Sequence, residues 1–146
     1  MARHVHRNIV TPTHATYLAY QQLGHAYLQR GMADDALAAL RQAAARSGAR
    51  DAAHLAYAYA VSGDAAAARR ILEDLLDPAT NPDVAPFHIA MAFAGLGERD
   101  TAFHWLERAY AERAAFMDGV RITPAFDSLH ADPRWSNLLR RMGLAA

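Results

Sequence analysis

The stretch YQQLGHAYLQRGMADDALAALRQAA, residues Tyr20 to Ala44, decides the fold. Helix formers dominate it, yet Gly24 falls inside the first helical run, where glycine costs roughly 1 kcal/mol against alanine. Gly31 breaks that run, and Asp34 and Asp35 open a second one, where negative charge is favourable against the helix dipole. Small residues stand at Gly24, Ala36 and Ala43, large ones at Tyr20, Leu23, Tyr27 and Leu40. A helix that keeps a glycine at such a place needs the room: a small residue at a crossing lets a partner helix come close.

Working outward, the same grammar repeats. Thr13 after Pro12 caps a helix expected over 14–30, and further helices are expected over 33–47, 50–62, 64–77, 83–96 and 99–117. Gly48, Gly63, Gly97 and Gly119 are read as closing helices, and Pro78 and Pro82 as stopping the fourth. Aligning the three helix pairs on their turn glycines, Gly31, Gly63 and Gly97, gives spacings of 32 and 34 residues. Seven positions before each glycine stand Gly24, Ala56 and Ala90, and one further back Leu23, Leu55 and Ile89. Four before lie Tyr27, Tyr59 and Phe93, five after lie Ala36, Ala68 and Ala102, and nine after lie Leu40, Leu72 and Leu106. Each column keeps its size class, and a helix–turn–helix period near 34 is a repeat signal.

These columns resemble the tetratricopeptide repeat, whose pattern is an aromatic, two residues, Leu-Gly, two residues, Tyr, then later Ala, three residues, Phe. The first unit reads Tyr20, Leu23-Gly24, Tyr27, Ala36 and Leu40. The other two are looser: Ala52 and Pro86 replace the first aromatic, and Ala56 and Ala90 replace the glycine. The resemblance implies an all-α, right-handed superhelix (a solenoid) of three hairpins, about 17–48, 49–81 and 83–116, within one domain over 14–146. A lead-in over 1–13 is expected to be poorly ordered. The tail, TPAFDSLHADPRWSNLLRRMGL over 123–144, places Pro124 and Pro133 at helix starts, with Thr123 and Asp132 as caps. Its stripe of Phe126, Leu129, Trp135, Leu138, Leu139 and Met142 is read as a helical cap over the end of the third unit. The Asp-Pro-Arg-aromatic wording is similar to the C-terminal ends of bacterial tetratricopeptide proteins.

Composition narrows the function. Fifteen arginines, no lysine and fifteen acidic residues balance to zero, which argues against a nucleic-acid surface. There is no cysteine, so thiol nucleophiles and thiolate metal sites are excluded. No apolar run approaches a membrane span, and MARHVHRNIVTPTHA lacks a signal-peptide core, so the expectation is a cytoplasmic chain with no membrane partner. Alanine fills roughly a quarter of the chain and no segment alternates with period two, so strands are not expected.

The eight histidines invite a metal reading. His4 and His6 are a tight pair without further ligands at fixed spacing. His54 and His88 share a repeat slot, which puts their helices about 8–10 Å apart, a separation read as too wide for one zinc. His25 and His104 have no His or Glu four residues away that would make an HExxH-like pair. No metal, no cofactor and no catalytic residue is therefore expected, since nothing assembles an acid, a base and a nucleophile.

What the resemblance implies instead is a groove lined by the first helix of each pair, binding a partner peptide or protein. The inward slots are Gln21, His25 and Gln29 in unit one, Ala53, Tyr57 and Val61 in unit two, and Phe87, Met91 and Gly95 in unit three, with Arg50 at the rim. The expected partner-binding residues are thus Gln21, His25, Gln29, Arg50, Tyr57, Val61, Phe87 and Met91. A carboxylate clamp of the chaperone-binding branch is not expected, because those slots lack Lys, Arg and Asn. Two alternatives stand beside this reading. The apolar end can pack against the chain's own tail or a second copy, giving a homodimer or structural oligomer, and the histidines can form a metal-binding helical protein.

Overall fold

A computed structural model describes residues 14–47, 49–81, 84–114 and 116–144. The side chains of His14, Ala15, Ala49 and Arg50 are not part of that description. The lead-in over 1–13, the Thr13 cap, the His4–His6 pair, and the stops at Gly48 and Pro82 lie outside the described residues. Among the described residues the chain is all-helical, without a strand.

Six α-helices come first: α1 (His14–Gln29), α2 (Ala33–Ser47), α3 (Ala49–Val61), α4 (Ala65–Leu75), α5 (Pro86–Gly95) and α6 (Arg99–Ala111). Two 3₁₀ helices, Met117–Ile122 and Pro124–Leu129, then lead to α7 (Pro133–Arg141). Helix α1 packs on α2, α3 on α4, and α5 on α6; α3 also packs on α2 and α5. The first helices of the pairs therefore stand side by side.

The turn glycines explain the pairing. Gly31, Gly63 and Gly97 have φ of 73°, 94° and 79°, a left-handed conformation that costs other residues energy. In each turn the residue after the glycine donates its N–H back to the aromatic column: Met32 to the Tyr27 carbonyl at 2.9 Å, Asp64 to Tyr59 at 2.9 Å, Glu98 to Phe93 at 3.0 Å. This is the six-to-one bond that ends a helix and redirects the chain. Asp64 adds a side-chain cap, its Oδ1 accepting from Ala67 N at 3.1 Å.

Gly24 does need its room, but the neighbour is a side chain. A Cβ on Gly24 would come 2.5 Å from Leu40 Cγ and 2.7 Å from its Cδ2. Leu40 of α2 fills the space the missing side chain leaves. Ala36, Ala68, Ala102, Ala56 and Ala90 are all fully buried, as the size columns require. Leu23 is the exception: it is 44% exposed, while Ile89 in the same column is 1% exposed. Its unit lies at the end of the row, whereas α5 is flanked by α3 and the tail.

Two boundaries differ from the sequence reading for local reasons. Helix α5 starts at Pro86, not near residue 83, because proline takes the first helical position readily and lacks only an N–H that would be unsatisfied there. Helix α6 stops at Ala111, not near 117. Arg113 takes a left-handed φ of 51°, and Ala114 N donates to Ala109 O at 2.8 Å, repeating the glycine turns without a glycine. Thr123 is not a side-chain cap; its hydroxyl donates to the Gly119 carbonyl at 2.8 Å. Asp132 is a cap, accepting from Arg134 N at 2.9 Å. The Arg134 side chain, followed by its backbone N–H, holds that carboxyl down to about 2.

The tail closes the third pair. Trp135, Leu138, Leu139, Phe126 and Leu129 are buried in one core with Phe103, Leu106 and Ala109 of α6. Around them, Arg134 lies over the Phe103 ring and pairs with Asp100 at 2.9 Å. Arg141 pairs with Glu107, and the Tyr110 hydroxyl donates to the Arg141 carbonyl at 2.9 Å.

Candidate functional site

A groove of about 1830 Å³ runs along the first helices α1, α3 and α5 and is closed at one end by the two 3₁₀ helices. Of the residues the sequence places there, Gln21, His25, Gln29, Tyr57, Val61 and Met91 line it. The Arg50 side chain lies outside the described residues. Two assignments in the third unit are corrected. Phe87 is core: it is 4% exposed and meets Phe126 edge-on at 5.3 Å between ring centres. The chain's own tail covers that slot, and His88, one position on, faces the groove instead. Gly95 serves a close approach, not an open inward slot, since a Cβ there would lie 3.0 Å from Tyr57 Cδ1 and 3.2 Å from Ala60 Cβ.

The unexpected feature is a row of imidazoles on the groove wall. His25 Nε2 and His54 Nδ1 are 2.8 Å apart, a hydrogen bond between rings on α1 and α3. His54 and His88, on α3 and α5, have ring centres 4.4 Å apart. The expected helix spacing separates axes; two imidazole side chains reaching from facing helices span it. Behind them sits Asp51, fully buried. Its Oδ1 accepts from Gln21 Nε2, and its Oδ2 accepts from Ser47 Oγ at 2.8 Å. His54 Nε2 is 3.9 Å from Asp51 Oδ1, one helical turn away.

Burial sets the electrostatics. Desolvation lowers all three histidines, because a charged ring is poorly solvated there. His54 falls well below the ordinary value of 6.5, and the neighbouring His88 and His25 push it further down. His88 falls to about 4, with Asp51 opposing the burial effect. His25 is lowered by burial and partly restored by Asp51. The row is therefore neutral at neutral pH, offering donors and lone pairs rather than positive charge. Burial, then the charge of Asp127, raises the Tyr57 phenol.

Two ring nitrogens, His54 Nε2 and His88 Nδ1, are buried and find no hydrogen-bond partner among the described residues. Phe116 lies over His88 at 5.2 Å between ring centres; it is 61% exposed and holds a left-handed φ of 74°. Val61 and Ile122 are also exposed along the groove, at 47% and 81%.

Sequence reasoning did not single out Asp51, and it weighed His54 and His88 only as metal ligands, without their contact with His25. A signal was present: Asp51 and His54 stand three apart on α3, hence on one face, among alanines and other apolar residues. No protein-family model, no curated protein and no solved structure matches the chain. No helix among the described residues is long and apolar enough to cross a membrane.

Proposed function

We propose that the chain is a tetratricopeptide-like protein: three hairpins in a right-handed superhelix, ended by a helical cap, acting as a protein–protein interaction module. The partner is a peptide segment or protein seated in the groove, in a bacterial regulatory or signalling system within the cytoplasm, with no catalytic step. One observation carries this reading. One groove draws side chains from all three first helices, polar at Gln21, His25, Gln29 and His88, and apolar at Tyr57 and Val61, with the buried Met91 beneath. Polar groups that bond a peptide backbone beside apolar groups that receive side chains are what an extended segment requires.

Capture from a bacterial lysate with wild type and Val61→Arg side by side tests it, after both are sized by light scattering. Val61 is exposed, so the arginine blocks the groove without entering the core. The expected result is a discrete protein held by wild type and lost with a variant of unchanged helix content. Equal retention by both removes the groove from the account. A defined dimer that Val61→Arg dissolves, with nothing else retained, favours self-association, which the exposed Val61, Phe116 and Ile122 along the groove would serve.

A further inference from the structure

Charge sets the groove apart from the rest of the surface. The chain carries fifteen arginines and no lysine, yet none of the arginines with a described side chain lines the groove. Several form ion pairs on the second helices and the cap instead: Arg69 with Glu98, Arg108 with Glu112, Arg134 with Asp100 and Arg141 with Glu107. Among the described residues one charged side chain lines the groove, and it is an acid, Asp118. It is exposed and makes no hydrogen bond or ion pair with a described residue. The three histidines of the wall add no positive charge at neutral pH, because burial holds them neutral. Two further carboxylates act on the groove from outside its lining. Asp51 opposes the dominant effect of burial at His25 and His88, and Asp127 adds to burial in raising the Tyr57 phenol. A cleft lined by one sign of charge attracts the other.

Two neighbouring features suit a cationic occupant. Phe116, two residues before Asp118, is 61% exposed at a φ of 74°, a backbone conformation that bulky residues rarely adopt. An exposed aromatic face receives both the apolar stem and the charge of a basic side chain. His54 is 6% exposed and lines the groove, with Nε2 unpartnered among the described residues. With its Nδ1–H donating to His25, that nitrogen is an acceptor for an incoming N–H.

We propose that the groove takes a basic extended segment of another protein, which sets an arginine or lysine against Asp118 and Phe116 and lays apolar side chains along Val61 and Ile122. The inference rests on the groove being the docking site, and names the chemistry of what docks. The basic head pairs with the carboxylate, its stem covers the phenylalanine ring, and an N–H of the segment serves His54 Nε2. An acidic segment meets Asp118 with no described cation in the lining to offset it, so the groove selects by sign as well as by shape.

The test is selection from a display library of random peptides on the full chain, with Val61→Arg as the blocked control. Peptides that wild type holds and Val61→Arg releases are groove binders. The expected result is an excess of arginine and lysine over aspartate and glutamate among them, with affinities that weaken as salt is raised. For the tightest, measured as a synthetic peptide by fluorescence anisotropy, Asp118→Asn is expected to weaken binding by about two- to fivefold, as loss of an exposed ion pair does. Asp118→Arg is expected to weaken it further, because repulsion replaces attraction. An excess of acidic residues, no charge bias, or an affinity unchanged in both Asp118 variants overturns the proposal and leaves the groove as a docking site. No peptide released by Val61→Arg overturns the docking reading itself, and the proposal with it. So does a dimer, seen by light scattering, that Val61→Arg dissolves while no peptide binds.

Discussion

Replacing Gly24 with alanine sets two effects of opposite sign against each other. Alanine in mid-helix is favoured over glycine by about 1 kcal/mol. The added methyl, however, would sit 2.5 Å from Leu40 Cγ, and Leu40 is fully buried, so its branch cannot swing into solvent. Overpacking of this kind costs about 1–3 kcal/mol. The net expectation for Gly24→Ala is a loss of about 1 kcal/mol, which lowers Tm by roughly 3–4 °C for a chain of this size. Leu40→Ala alone removes a buried side chain and is expected to cost about 2–5 kcal/mol. In the double variant the Gly24→Ala methyl enters space that Leu40 has vacated. The two changes therefore fall short of additivity by about 1–2 kcal/mol, as contacting residues do. Urea unfolding followed by far-ultraviolet circular dichroism measures all four corners of the cycle. A Gly24→Ala variant more stable than wild type by the full helical preference, adding independently to Leu40→Ala, would refute the close contact between α1 and α2.

Stability is expected to fall in mild acid. The fold holds His88 at about 4 and lowers His25 and His54, whereas unfolded histidines titrate near 6.5. The unfolded chain takes up protons first, so stability is intact above pH 6.5 and declines below it. His88 alone accounts for about 3 kcal/mol by pH 4, at about 1.36 kcal/mol per unit. His88→Gln flattens that slope relative to wild type; an identical slope would show that the ring is not held neutral by the fold. Phe87→Ala is expected to cost about 3–5 kcal/mol in urea unfolding, as a buried aromatic does. A Phe87→Ala variant as stable as wild type would return Phe87 to the groove.

The hairpins were legible because their signals are local. A left-handed turn needs glycine, and Gly31, Gly63 and Gly97 advertise it; a tight crossing needs small residues, and Ala36, Ala68 and Ala102 keep their places. The end of α6 was not legible, because Arg113 makes the same turn without the residue that announces it. The groove was half legible. Helical spacing put Gln21, His25 and Tyr57 on one face, but it does not say where a distant segment folds back, so Phe126 covering Phe87 was invisible. The contacts along the histidine row were not legible for a related reason. Axis spacing is a property of backbones, while His25, His54 and His88 meet through side chains that lean toward one another from neighbouring helices.

The groove as a docking site is the central claim, and a photo-crosslinking amino acid placed at two positions tests it most directly. Val61 lies in the groove; Glu73 is exposed on α4, outside it. The account predicts a discrete adduct to another protein from position 61 and none from position 73. Adducts from position 73 alone, or from position 61 only to a second copy of the chain, would contradict it.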